Sequence, residues 1–154
     1  MTNKHALIVG LQYRGSNKLN GCWNDNKSII NTIKKIYNFK DEEITKIQDK
    51  GDSHTDKDGN KIGSRMNIIN NLNRMVDLDL DFLVLYVASH GIRTYDANKD
   101  ETNFNSQNEN EIKYLNNNRF QDTSILTSEF NWNTKYIKDD EIKEILKKMN
   151  KKTI

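Results

Sequence analysis

The stretch FLVLYVASHG, Phe82 to Gly91, decides how this chain is read. An unbroken apolar run, Phe82 to Ala88, stops abruptly at Ser89-His90-Gly91. A short apolar run bounded by turn residues is the pattern of a strand buried on both faces of a parallel sheet. In open parallel sheets, reactive groups sit outside the carboxyl ends of the strands. His90 stands at such an end, where an imidazole can serve as a general base near neutral pH. Gly91 lets the chain turn sharply and lets a substrate approach the backbone.

Working outward, HALIVGLQ (His5–Gln12) is a second continuous apolar run and predicts the first strand. NDNKSIINTIKKIYNF (24–39) places Ile29, Ile30, Ile33, Ile36 and Tyr37 at helical spacing, with Asn24 or Asp25 as the capping residue. EITKIQ (Glu43–Gln48) alternates and predicts a more exposed strand. Asp49 to Gly63 is rich in Gly, Asp and Lys and predicts a loop. A helix follows from Ser64, with Met66, Ile69, Leu72, Met75 and Val76 on one face. The order β-α-β-α-β predicts an α/β layer fold with a mostly parallel sheet and right-handed crossovers. Residues 92–132 are Asn-rich and weakly periodic, a long loop region. DDEIKEILKKM (139–149) predicts a last helix, its acids at the N-terminal end of the dipole and Ile142, Ile145, Leu146 and Met149 forming its stripe.

The 154 residues predict one domain with a modest core. Balanced charge, 24 Lys+Arg against 22 Asp+Glu, builds no nucleic-acid surface. The single cysteine, Cys22, excludes an intrachain disulfide and fits a reducing compartment. No long apolar stretch predicts a membrane span or a signal core, so a cytoplasmic protein is expected. GLQYRGSNKLNG (10–21) lacks both G-x-G-x-x-G and a Lys-Ser/Thr phosphate loop, which disfavours a nucleotide-binding module.

Several stretches together resemble the caspase-like clan of cysteine peptidases, and within it the metacaspases. They are ALIVGLQY (6–13), LNGCWNDNKSIINTI (19–33), YNFKDEEITKIQD (37–49), FLVLYVASHG (82–91) and YIKDDEIKEIL (136–146). They occur in family order over about nine-tenths of the chain. The resemblance implies a three-layer caspase-like fold and a domain over 1–154, incomplete at the C-terminus.

It also implies roles. His90 falls on the general base that takes a proton from a cysteine thiol, whose thiolate then attacks a peptide carbonyl. Asp25 falls on an acid that lines the pocket for a basic P1 side chain, so peptides or proteins with Arg or Lys are the implied substrates. The family's Ser-Gly-His-Gly, whose serine borders that pocket, reads Ala88-Ser89-His90-Gly91 here, so that serine is an alanine or is shifted by one, and Ser89 and Gly91 are the substrate-binding candidates. Asp139 and Asp140 fall on acids that bind an activating Ca2+. Asn110, where the family has an aspartate, brings no charge, so a weak Ca2+ site is expected. Asp96, Asn98 and Asp100 show D-x-N-x-D spacing but fail the EF-hand register.

The family's nucleophile lies in a D-x-C-H-S-G segment on a fourth strand after the D-D-E-I helix, and these residues contain no such segment. Cys22 is the in-chain candidate, because the first and third strands are neighbours in this topology. A small residue packed near the pocket is the more ordinary role for it. Without a fourth strand, Phe82–Ala88 becomes an open apolar edge, with Trp23, Phe130 and Trp132 as candidate covers. Self-association or pairing with a homologous chain is expected there. The sequence therefore leaves two readings, a peptidase that is weak alone and a non-catalytic pseudo-peptidase that binds or regulates through its sheet edge.

Overall fold

A computed structural model describes residues 3–13, 18–49, 62–95, 121–131 and 134–150. Strand β1 (Lys4–Leu11) leads to helix α1 (Cys22–Tyr37), then β2 (Ile44–Asp49), α2 (Arg65–Val76) and β3 (Phe82–Ala88). The three strands form a parallel sheet in the order β2-β1-β3. Strands β4 (Gly91–Tyr95), β5 (Gln121–Asn131) and β6 (Thr134–Lys138) form a second, antiparallel sheet, and α3 (Asp139–Asn150) follows directly.

The centre of the fold is β1, in which Ala6, Leu7, Ile8, Val9 and Leu11 are all fully buried. Alternate residues of a strand point to opposite faces. Ala6 and Ile8 accordingly join Ile30, Ile33, Phe39 and Ile44 under α1. Leu7, Val9 and Leu11 join Ile68, Leu72, Met75, Val76 and Ile145, the buried faces of α2 and α3. The result is α1, then the sheet, then α2 with α3: the three layers of an α/β fold. The small sheet is fastened to this core through Ile137, which is fully buried in the α2–α3 layer, and through half-buried Ile125.

Local chemistry sets the element ends. Ser64 caps α2, its hydroxyl accepting from the Asn67 N–H at 3.2 Å. Helix α1 ends at Asn38, whose left-handed backbone (φ 53°) suits a short amide side chain. Lys4 then donates to the exposed carbonyls of Tyr37 (2.6 Å) and Asn38 (3.1 Å), placing a cation at the negative end of the helix.

Four expectations change. Helix α1 begins at Cys22 with Gly21 before it, so Asn24 and Asp25 lie inside its first turn and neither caps it. On α2 Ile68 joins Leu72, Met75 and Val76 in the core, while Met66 is 61% exposed, because the i, i+4, i+7, i+8 stripe that packs on the sheet runs through Ile68 and leaves Met66 outside it. Residues 92–95 and 121–131, within the expected loop region, belong to paired strands, since backbone ladder bonds do not require a strong apolar pattern. Trp23 does not cover β3: its indole N–H donates to the Asp49 carbonyl at 3.3 Å, on the β2 side. Trp132 lies outside the described residues.

Candidate active site

The register of the main sheet builds the site. Gly10 of β1 pairs with Ala88 of β3, so the two neighbouring strands end at one level. The residues that follow them, Tyr13 and His90, are brought into contact across 77 positions of sequence. Their rings lie 4.8 Å apart between centroids, tilted at 43°. The His90 backbone N–H donates to the Tyr13 phenol oxygen at 3.2 Å. That phenol donates in turn to the Leu126 carbonyl at 2.6 Å, and the Leu126 N–H donates back to the His90 carbonyl at 2.9 Å. Three residues from the ends of β1 and β3 and from β5 thus close a ring of hydrogen bonds.

Tyr13 has a left-handed backbone, φ 55°. For a residue with a bulky side chain such a conformation costs about 1–3 kcal/mol and persists only where the surroundings over-determine it. Burial pushes the Tyr13 phenol up to about 12, opposed chiefly by the His90 backbone N–H that donates to it and reinforced by the charges of Cys22 and Asp49. The phenol therefore keeps its proton and its role as donor.

Ser89 is half-buried, and its hydroxyl donates to the His90 carbonyl at 3.2 Å. That bond braces the turn between β3 and β4. Gly91 opens β4 opposite Ile125. A Cβ there would meet only the Ser124 carbonyl, at an ordinary 3.7 Å, so the turn itself does not demand glycine.

Cys22 is buried at the first position of α1. Burial, then the negative charge of Asp25, raises the Cys22 thiol, which favours the thiol over the thiolate despite the helix start. Asp25 is exposed in the first turn of α1, and its charge also reaches Tyr86 on β3. Cys22 and Asp25 are therefore electrostatic neighbours of the β1–β3 end, and Tyr13 touches His90 directly through its ring and its phenol.

Asp139 and Asp140 begin α3. The Asp140 N–H donates to Asp139 Oδ1 at 3.0 Å, and Lys143 lies 3.6 Å from Asp140. Next to them Glu141 is bonded to Arg65. These are oxygen donors of the kind Ca2+ takes, but the ion needs six to eight oxygens. Among the described residues no three His, Cys, Asp or Glu side chains gather to hold a metal. Among the described residues the pair fits calcium in kind and falls short in number. Asn110, Asp96, Asn98 and Asp100 lie outside the described residues.

Sequence reasoning missed two residues that shape this end. Tyr13 was legible only as part of the first strand. Asn26 is fully buried, and its amide, oriented by its neighbours, donates to the Val9 and Cys22 carbonyls and accepts from the Gly10 N–H, each at 3.2 Å. A Cβ on Gly10 would collide with the Asn26 amide. A glycine inside a strand pattern marks close approach, and Gly10 was that signal. A groove of about 430 Å3 lined by Trp23, Lys27, Lys34, Lys46 and Gln48 lies between α1 and β2, and His90 is not part of it.

The chain is similar to several curated proteins. It is 29% identical over 149 residues to Metacaspase-1 of Eremothecium gossypii, covering 95% of this chain and 28% of that protein. It is 30% identical over 100 residues to Metacaspase III c of Phaeodactylum tricornutum, covering 64% of this chain and 28% of that one. It is 33% identical over 101 residues to Metacaspase-1 of Meyerozyma guilliermondii, covering 64% and 23%. The chain spans about a quarter of the length of these relatives. The family model described as metacaspase, peptidase C14 domain, matches residues 4–153. With a parallel sheet that carries His90 at its carboxyl end and a match over nearly the whole chain, this protein belongs to the metacaspase family of cysteine peptidases.

Proposed function

We propose that these residues supply the general base of a cysteine endopeptidase, His90, with Asp25 receiving a basic P1 side chain. The observation that carries the reading is the seat of His90, just past the end of β3 and fixed through both its backbone N–H and its carbonyl. The imidazole takes the thiol proton of a cysteine. The thiolate forms a C–S bond to the peptide carbonyl carbon, and the C–N bond breaks as the imidazolium returns the proton to the leaving amine. Water then hydrolyses the thioester with the imidazole again as base.

The raised, buried thiol of Cys22 favours packing, so the nucleophile is assigned to a cysteine other than Cys22, carried on a strand along β3. Among the described residues no strand pairs with β3 on the side away from β1. Asp25 is exposed, and an Arg or Lys arriving there would have to desolvate it to gain strong charge-assisted bonds. Any Ca2+ held by Asp139 and Asp140 would bind weakly.

The test is hydrolysis of Arg- and Lys-containing fluorogenic peptides by the chain alone and with a polypeptide carrying a D-x-C-H-S-G strand. The expected result is negligible turnover alone and cleavage after Arg or Lys on addition, abolished by His90→Ala and reduced by Asp25→Asn. Cleavage by the chain alone that disappears in Cys22→Ala would overturn the assignment of the nucleophile.

A β3 edge left unpaired among the described residues supports a second reading, a non-catalytic partner that pairs strand to strand with a homologue. It requires that binding to an intact homologue survive His90→Ala and weaken when a lysine replaces Phe82, which is 39% exposed on β3.

A further inference from the structure

We propose that Tyr13 is a positioning residue for the His90 imidazole. The proposal rests on His90 being the base and adds the group that fixes its orientation. The phenol is both acceptor and donor: it takes the His90 N–H at 3.2 Å and gives its own proton to the Leu126 carbonyl at 2.6 Å. The Leu126 N–H closes the ring on the His90 carbonyl at 2.9 Å. The peptide on either side of the His90 Cα is therefore tied to groups on other strands. The phenol ring then lies against the imidazole, 4.8 Å between centroids, and limits its rotation. Phenylalanine would keep the ring contact and lose both phenol bonds. Tyr13 makes these contacts from a left-handed backbone, φ 55°.

A tie that only held the two sheets together would affect melting and leave the imidazole alone, and this separates the two roles. The experiment uses the full chain labelled with 15N-histidine. Signals of His5, His54 and His90 are told apart by His90→Ala. In Tyr13→Phe the His90 backbone amide should exchange about tenfold faster, as expected for loss of one hydrogen bond. The imidazole 15N signals of His90 should shift or broaden, with His5 and His54 unchanged. A lowered melting midpoint with the His90 imidazole signals unmoved and amide exchange within about twofold overturns the proposal.

If Tyr13→Phe does not fold, 3-fluorotyrosine at position 13 alters the phenol without removing it, and the same His90 signals must move. With the cysteine-bearing strand added, Tyr13→Phe should lower kcat and leave KM within about twofold. Hydrolysis that survives His90→Ala while Tyr13→Phe still moves the imidazole sinks the base and keeps the orientation. Hydrolysis that needs His90 and ignores Tyr13→Phe sinks the orientation alone.

Discussion

Strands β1 and β3 are similar in composition and lie side by side in register, yet they live in different environments. KHALIVGL is paired on both edges and fully buried from Ala6 to Val9. FLVLYVA is paired with β1 alone among the described residues, and its residues after Phe82 are half-buried. Apolar content marks both as sheet interior; position in the strand order decides how much of that apolar surface leaves water. The cost of altering each strand should follow the same order.

The largest expected effect is at β1. Leu7→Ala removes a fully buried side chain and should destabilise by about 3–5 kcal/mol in urea denaturation, against about 1–2 for Leu85→Ala on β3. Equal losses would mean that β3 is covered in solution, and the contrast between the strands would fail. Next comes Gly10→Ala, which drives a methyl into Asn26 and should cost about 1–3 kcal/mol by the same measurement. Gly91→Ala, where a methyl meets only an ordinary contact, should cost well under that.

The two ends of β1 give smaller, pH-dependent effects. Tyr13, just past its carboxyl end, has a phenol raised from 10.0 to about 12 by burial. Its contribution is complete below pH 10 and is lost as pH rises from there toward about 12. Thermal melting across that range should fall less steeply in Tyr13→Phe than in the parent chain. His5, at the other end, is lowered from 6.5, first by burial and then by the Arg74 charge, with Glu43 opposing. A lowered histidine contributes above pH 6.5 and loses that contribution as pH falls through its folded value. His5→Gln should flatten the slope of stability on the acid side, the smallest effect of the set. An unchanged slope would place the imidazole in solvent, away from its Thr45 hydroxyl contact at 3.0 Å.

Much of the site was legible in short stretches. The strand ending in Ser-His-Gly and the glycine-cysteine segment that opens α1 put His90, Cys22 and Asp25 at one end of one sheet. The capping position of α1 was misread by a few residues because Asn24 and Asp25 have cap chemistry wherever they fall near a helix start. The chain settles on Gly21 as the residue before the helix, which leaves Cys22 and Asn26 one turn apart against β1. Met66 was read as core because it shares helical spacing with Leu72 and Met75, and a stripe one residue wide leaves its exact rotation to packing.

The sequence by itself determined that apolar strands alternate with amphipathic helices, that a histidine terminates one strand, and that one cysteine is available. Those are local properties, carried by periodicity and residue chemistry. Only the tertiary structure decided that β1 is buried on both faces, and that a tyrosine 77 positions away grips the histidine. Strand order, burial of a carboxylate or thiol, and the closing of a hydrogen-bond ring depend on which distant segments become neighbours. No short window of residues carries that information.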